Sequence, residues 1–86
     1  MNIRAARVRL GEMWGLDRAL HCSELGRALR LTGRDPGETI HKWESGQREI
    51  TGPAHVAVEA MLSGWRPAHW RDALRPPKTQ KAPPPG

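Results

Sequence analysis

The side chains able to do chemistry are few, and their spacing does not suit catalysis. Cys22 is the sole thiol, and the histidines are His21, His41, His55 and His69. A zinc site draws on paired Cys and His at CxxC-like or i, i+4 spacing. No two histidines here stand four residues apart, so no metal is expected. Glu44, Glu49 and Glu59 fall on separate predicted elements, with no nucleophile or Gly-rich phosphate loop beside them. Neither an acid–base reaction nor phosphoryl transfer is expected, and no cofactor or small-molecule ligand is implied. What remains is a set of basic and amide side chains, among them Arg34, Lys42, Gln47 and Arg48, that suit a polyanion.

The overall charge points the same way. Fourteen Lys and Arg against nine Asp and Glu give +5, and the pI is near 10.7. A balance this basic favours nucleic acid as partner before a membrane surface. The excess is uneven. Residues 1–65 hold nine basic and eight acidic residues, whereas residues 66–86 hold five basic residues against Asp72 alone. The segment 76–86, PPKTQKAPPPG, has five Pro and no large apolar side chain, a composition that predicts a disordered, polyproline-like tail. A lone cysteine suits a reducing, cytoplasmic setting. No apolar run approaches the roughly 20 residues of a membrane span, and MNIRAARVRL lacks the apolar stretch of a secretory signal. With 86 residues, 37% of them hydrophobic, the chain has room for one thin-cored domain.

The elements that must position these side chains read as helices. No segment alternates apolar and polar residues over strand length. A first helix is predicted from about Asn2 to Trp14, with Ile3, Ala6, Leu10 and Met13 recurring at helical spacing. A connector through Leu16 and Leu20 follows. A second helix is predicted from a Ser23 N-cap to about Leu31. The clearest local signal is Asp35-Pro36-Gly37-Glu38: an N-cap acid, Pro at the first helical position and an acid at the third. The third helix therefore starts at Asp35 or Pro36, and Gly46 stops it. Ile40 and Trp43 face inward; Glu38, His41 and Lys42 lie on the other side. A fourth helix begins near Thr51-Gly52-Pro53 and ends at Gly64. A short fifth is predicted from Ala68 to Leu74.

Two stretches carry a family resemblance. Ser23-Glu24-Leu25-Gly26-Arg27-Ala28-Leu29 resembles the second helix, and Thr39-Ile40-His41-Lys42-Trp43-Glu44-Ser45-Gly46-Gln47-Arg48 the recognition helix, of Cro/phage-repressor-type helix-turn-helix proteins, also called the xenobiotic-response-element family. Ile50-Thr51-Gly52-Pro53 and the Ala/Val-rich run after it resemble that family's fourth helix. The match covers about residues 5–64. The turn is longer than the family's by about four residues, Gly33–Pro36. The resemblance implies an all-α, four- to five-helix bundle of the lambda-repressor-like type. It would occupy residues 1–75, with a C-terminal extension over 65–75 and the tail at 76–86.

The resemblance also implies roles. In the major groove, Gly37, Glu38, His41, Lys42 and Arg34 are expected at base edges; a carboxylate there can accept from a cytosine amino group. Glu38 has an equally local role as a capping-box acid. Ser23, Thr39, Ser45, Gln47 and Arg48 are expected on the sugar–phosphate backbone, where contacts position without specifying sequence. Trp43 is expected in the core. Met61, Leu62, Trp65, Trp70 and Leu74 are expected to form a homodimer interface, the alternative being that Trp65 and Trp70 fold back on the first helix. The function implied is a sequence-specific double-stranded-DNA-binding regulator, dimeric on a palindromic operator. A repressor or autorepressor of phage, prophage or mobile-element origin, anti-CRISPR-associated or antitoxin-like, fits the size. A DNA-binding component of a packaging machine, resembling a terminase small subunit, and a protein-interaction module are the alternatives. Deleting residues 76–86 should flatten the salt dependence of DNA binding by up to about two phosphate equivalents and leave sequence preference intact. Titrations at several salt concentrations check this, and loss of operator choice would instead make the tail a groove reader.

Overall fold

The computed structural model describes residues 1–31 and 34–74; Thr32, Gly33 and residues 75–86, the expected tail at 76–86 included, lie outside the described residues. Five helices follow one another: α1 (Ile3–Met13), α2 (Cys22–Ala28), α3 (Pro36–Ser45), α4 (Gly52–Leu62) and α5 (Trp70–Ala73). The described residues contain no strand. This agrees with the expected all-α class.

α1 is capped by Asn2, whose side chain accepts from the Ala5 N–H at 2.9 Å. Its inner stripe is Ile3, Ala6 and Leu10, continued by Trp14. The connector after α1 lies along that helix rather than looping free. Leu20 donates its N–H to the Arg7 carbonyl at 3.0 Å, and Arg7 Nη1 donates to the Leu20 carbonyl at 2.7 Å. Leu20 is thereby fixed inside the core with Leu10, Leu25, Ile40, Val58 and Met61, all fully buried.

α2 starts two residues earlier than expected. His21, not Ser23, is its N-cap, because the Glu24 carboxylate accepts the His21 backbone N–H at 2.7 Å and closes the first turn there. It also ends earlier, at Ala28. Three helices share one ending, in which the N–H groups of the two residues past the C-cap return to carbonyls in the last turn. In α1, Leu16 bonds to Gly11 at 2.8 Å; in α2, Leu31 bonds to Gly26 at 3.0 Å; in α4, Trp65 bonds to Ala60 at 3.0 Å. The residue at the left-handed position is Gly15 in α1 and Gly64 in α4, but Arg30, with φ of 58°, in α2.

α3 matches its sequence signal. The Asp35 carboxylate accepts the Gly37 N–H at 3.0 Å, and Gly46 is left-handed at φ 83°. Its packing on α2 rests on two glycines. A Cβ on Gly26 would lie 2.4 Å from the Pro36 carbonyl oxygen, and one on Gly37 would lie 2.9 Å from the Ser23 nitrogen. Both obstacles are backbone atoms. The C-terminal segment then covers the other side of α2. Arg27 Nε donates to the Ala73 carbonyl at 2.9 Å, and His69 Nε2 lies 3.0 Å from the Arg27 carbonyl.

This segment corrects the expected exposed patch. Met61 lies wholly inside the monomer, Trp70 meets Trp14 at a centroid distance of 5.5 Å, and Leu62 and Leu74 are half-buried against the core. Trp65 alone of that group is exposed, at 53%. Trp70 thus folds back on the end of α1, where Trp14 offers an apolar ring that periodicity alone did not assign inward. Arg66 and Arg71 hold the outer side of Trp70, at 4.5 and 5.3 Å from its centroid.

The glycine contact gives a sign test. Gly26→Ala should lower stability by about 2 kcal/mol by overpacking, although Ala in an open helix gains about 1 kcal/mol over Gly. Arg30→Gly should raise stability by up to about 1 kcal/mol, because it relieves a left-handed non-Gly residue. Urea denaturation of the two variants reads both signs.

Candidate nucleic-acid interface

α3 has two unlike faces. Gly37, Ile40 and Trp43 are buried on one side. Glu38, His41, Lys42 and Ser45 follow at i, i+3, i+4 and i+7, so they share one outer stripe. Glu38, His41 and Ser45 are exposed and Lys42 is half-buried. Arg34 is exposed just before the helix, and Gln47 and Arg48 just after it. The stripe and its two flanks therefore present one imidazole and three cations, Arg34, Lys42 and Arg48, with Glu38 on the stripe and the exposed acids Asp35 and Glu49 beside the two arginines.

Local bonds set the stripe's charge. Lys42 Nζ lies 3.6 Å from a Glu38 oxygen. A pair this exposed is worth only roughly 0.3–0.5 kcal/mol, so it holds neither side chain firmly. Glu38 is engaged by Lys42 one turn on, rather than closing the helix start as a capping-box acid. Ser45 Oγ donates to the Lys42 carbonyl at 3.2 Å, which turns its hydroxyl back on its own helix.

Not every residue expected at the interface stands there. Gly37 is a correction: it is buried against Cys22 and Ser23 of α2, and its missing side chain serves helix contact, not a base. Ser23 sits beside that contact, half-buried and inside the first turn of α2 instead of capping it. Thr39 is half-buried. Trp43 is buried, as the core reading expects.

Behind the stripe lies a layer of ion pairs that sequence reading did not single out. Arg7 Nε donates to Glu44 Oε2 at 2.6 Å, which ties the inner flank of α3 to α1. Arg18 Nη1 and Nη2 donate to the two Glu24 oxygens at 2.7 and 2.9 Å, a bidentate clamp. Glu24 is 3% exposed, the one buried charged residue among those described. A Glu three residues after a helix start was the available signal for Glu24. Arg7 and Glu44 are 37 residues apart and carry no such local signal.

Burial pushes the Glu24 carboxyl up, but the Arg18 guanidinium and the His21 N–H outweigh it, and the group is held below its ordinary value. The same hydrogen bond to Glu24 raises Arg18. Burial pushes the Cys22 thiol up. Its sulfur lies 3.9 Å from His41 Nδ1 and 4.0 Å from Glu44 Oε2, so it acts as a neutral filler at the α2–α3 seam. No group of three or more His, Cys, Asp or Glu among the described residues is placed to hold a metal ion. No helix among the described residues is long and apolar enough to cross a membrane.

No protein-family model, curated protein or solved structure matches the chain.

Glu24 makes the helix pair acid-sensitive. Its carboxyl binds a proton less readily folded than unfolded, so its contribution is complete above the ordinary carboxylate value of about 4.3. That contribution is lost as pH falls through the lower folded value. Glu24→Gln should cost about 1–3 kcal/mol at neutral pH and reduce the decline in stability below pH about 4. Urea midpoints measured from neutral to acid pH give both numbers.

Proposed function

We propose that the chain is a sequence-specific double-stranded-DNA-binding regulator, with α2 and α3 acting as a helix-turn-helix pair. The observation that carries this reading is the two-faced α3. Its buried face is locked on α2 by Gly26 and Gly37, and its outer stripe holds polar side chains long enough to enter a major groove. The likeness of residues 5–64 to Cro/phage-repressor-type proteins supports the same use of these helices.

In this reading His41 and Lys42 meet base edges at the centre of the stripe, and Glu38 accepts from a cytosine amino group. Arg34 and Arg48, at opposite ends of α3, meet phosphates or, for Arg34, a guanine. Gln47 and Ser45 complete the backbone contacts. Lys42 leaves Glu38 as it engages DNA, which frees the carboxylate for its own base. A dimer places two such helices on a palindrome with half-sites about one helical turn apart. Occlusion of a promoter is the simplest regulatory outcome, and an autorepressor of a phage or mobile-element operon suits a chain of this kind.

The test begins by selecting bound fragments from random DNA, which yields the operator. Lys42→Ala should then cost about 1–3 kcal/mol on that operator and much less on unrelated DNA. An equal loss on all sequences makes Lys42 a phosphate contact. No loss, or no enriched sequence at all, overturns the reading; weak, sequence-tolerant binding in a higher ring would favour a packaging role.

A further inference from the structure

We propose that the turn after α4 and the start of α5 form a binding surface for single-stranded nucleic acid, apart from the outer stripe of α3. Trp65, Arg66, Trp70 and Arg71 build it. Trp65 is 53% exposed, whereas the other indoles are buried or half-buried. The turn that presents it is fixed. Gly64 is left-handed at φ 113°, and the Trp65 N–H donates to the Ala60 carbonyl at 3.0 Å. A large aromatic ring held in water on a fixed turn is a surface anchor rather than a core residue.

Trp70 is a pedestal for two cations beside that ring. The guanidinium carbons of Arg66 and Arg71 lie 4.5 and 5.3 Å from its ring centroid. Both arginines are exposed, and neither pairs with an acid among the described residues. Arg66 also donates to the Met13 carbonyl at 2.8 Å, which leaves its remaining N–H groups open. Stacking on the indole orders both guanidiniums in advance, so less entropy is lost when they meet a ligand. The charge of the segment selects an anion. Asp72 is the sole acid of residues 63–86, against Arg66, Arg71, Arg75, Lys78 and Lys81.

An exposed indole beside two guanidiniums fits a strand whose bases are unpaired. Every base offers a π face to an aromatic ring, and a duplex hides those faces in its own stack. Trp65 takes a base, and Arg66 and Arg71 meet the phosphates beside it. An acidic side chain would meet the arginines yet leave the Trp65 ring in water. The surface is separate from α3. The C-terminal segment packs on α2 at Arg27, about 100° around that helix from Gly26, which faces α3. None of its residues belongs to the outer stripe, so the proposal does not rest on duplex recognition.

Fluorescence anisotropy of labelled oligo(dT) and oligo(U), each of about 12 nucleotides, titrated with the whole chain at about 50 mM salt, tests it. The wild type should bind, and the tighter of the two strands identifies the sugar preferred. Trp65→Ala should weaken single-strand binding about tenfold, leave the affinity for an unrelated duplex unchanged, and keep the helical circular dichroism, because the ring lies outside the core. Trp65→Phe should restore most of the loss. Arg71→Gln should flatten the salt dependence on the single strand by about 0.7 in slope. Lys42→Ala should leave single-strand binding as it was. No binding of either oligonucleotide, a Trp65→Ala loss that is absent or equal on duplex, or an equal single-strand loss in Lys42→Ala would overturn the proposal. So would poly-glutamate bound as tightly as the oligonucleotides, or binding to anionic phospholipid vesicles alone. The operator selection reads duplex DNA and Lys42, so either experiment can fail without the other.

Discussion

The fold depends on the backbone-to-backbone contact of α2 with α3. Gly26 faces Pro36 and Gly37 faces Ser23, so each helix offers a glycine where the other presents main chain. No other residue type fits either position without moving backbone, and backbone cannot rotate aside as a side chain does. The contact costs helix propensity twice, at about 1 kcal/mol per glycine. It is retained because closeness here decides where α3 points. A separation wider by one methyl group would lift Ile40 and Trp43 from the core and leave Cys22 without its neighbours across the seam. The outer stripe has a defined direction only because the inner face has no slack.

The core that this contact helps to close is thin, and ion pairs extend it. Arg18 spans from the connector to Glu24, and Arg7 joins α1, Leu20 and Glu44. A buried carboxylate is costly unless its oxygens are satisfied. Glu24 meets that condition with three donors, two from Arg18 and one from His21. The consequence for function is a division of the arginines. Arg7, Arg18 and Arg27 are engaged in holding the fold, so the net charge overstates the cations open to a polyanion. Arg34, Lys42 and Arg48 are the ones beside the stripe.

Legibility followed the range of the interaction that fixed each feature. The two ends of α3 were readable because Asp35 and Pro36 at its start and Gly46 at its stop act within one turn of themselves. The inward Ile40 and Trp43 were readable from periodicity. The start of α2 was not, because Ser23 is a good cap by type, yet Glu24 bonds the His21 N–H and Arg18 holds Glu24 from the connector. Its end was missed because Arg30 takes a conformation for which glycine is the usual signal. Gly37 looked like a groove-facing residue in a capping sequence; only the crossing of α3 over Ser23 reveals its use. Arg7 and Glu44 meet across the chain, and single-sequence spacing does not encode that.

The C-terminal segment turns its apolar side inward. Trp70 lies on Trp14 between Arg66 and Arg71, and Ala73 receives Arg27 from α2. The segment therefore spends its large aromatic on the inside of its own monomer, next to the joint between α1 and the connector. Removing Trp70 from the pool of surface anchors leaves the end of α4 with Trp65 exposed at its cap and Leu62 half-covered beside α1. Trp65, and in part Leu62, are where the expected interface and the observed surface still coincide. Leu62 lines an open depression beside Ala5, Ala6 and Arg9 of α1, whereas Arg7, about 200° around α1 from Ala5, meets Glu44 of α3, so the apolar remnant of the C-terminal end of α4 and the outer stripe of α3 belong to different sides of α1.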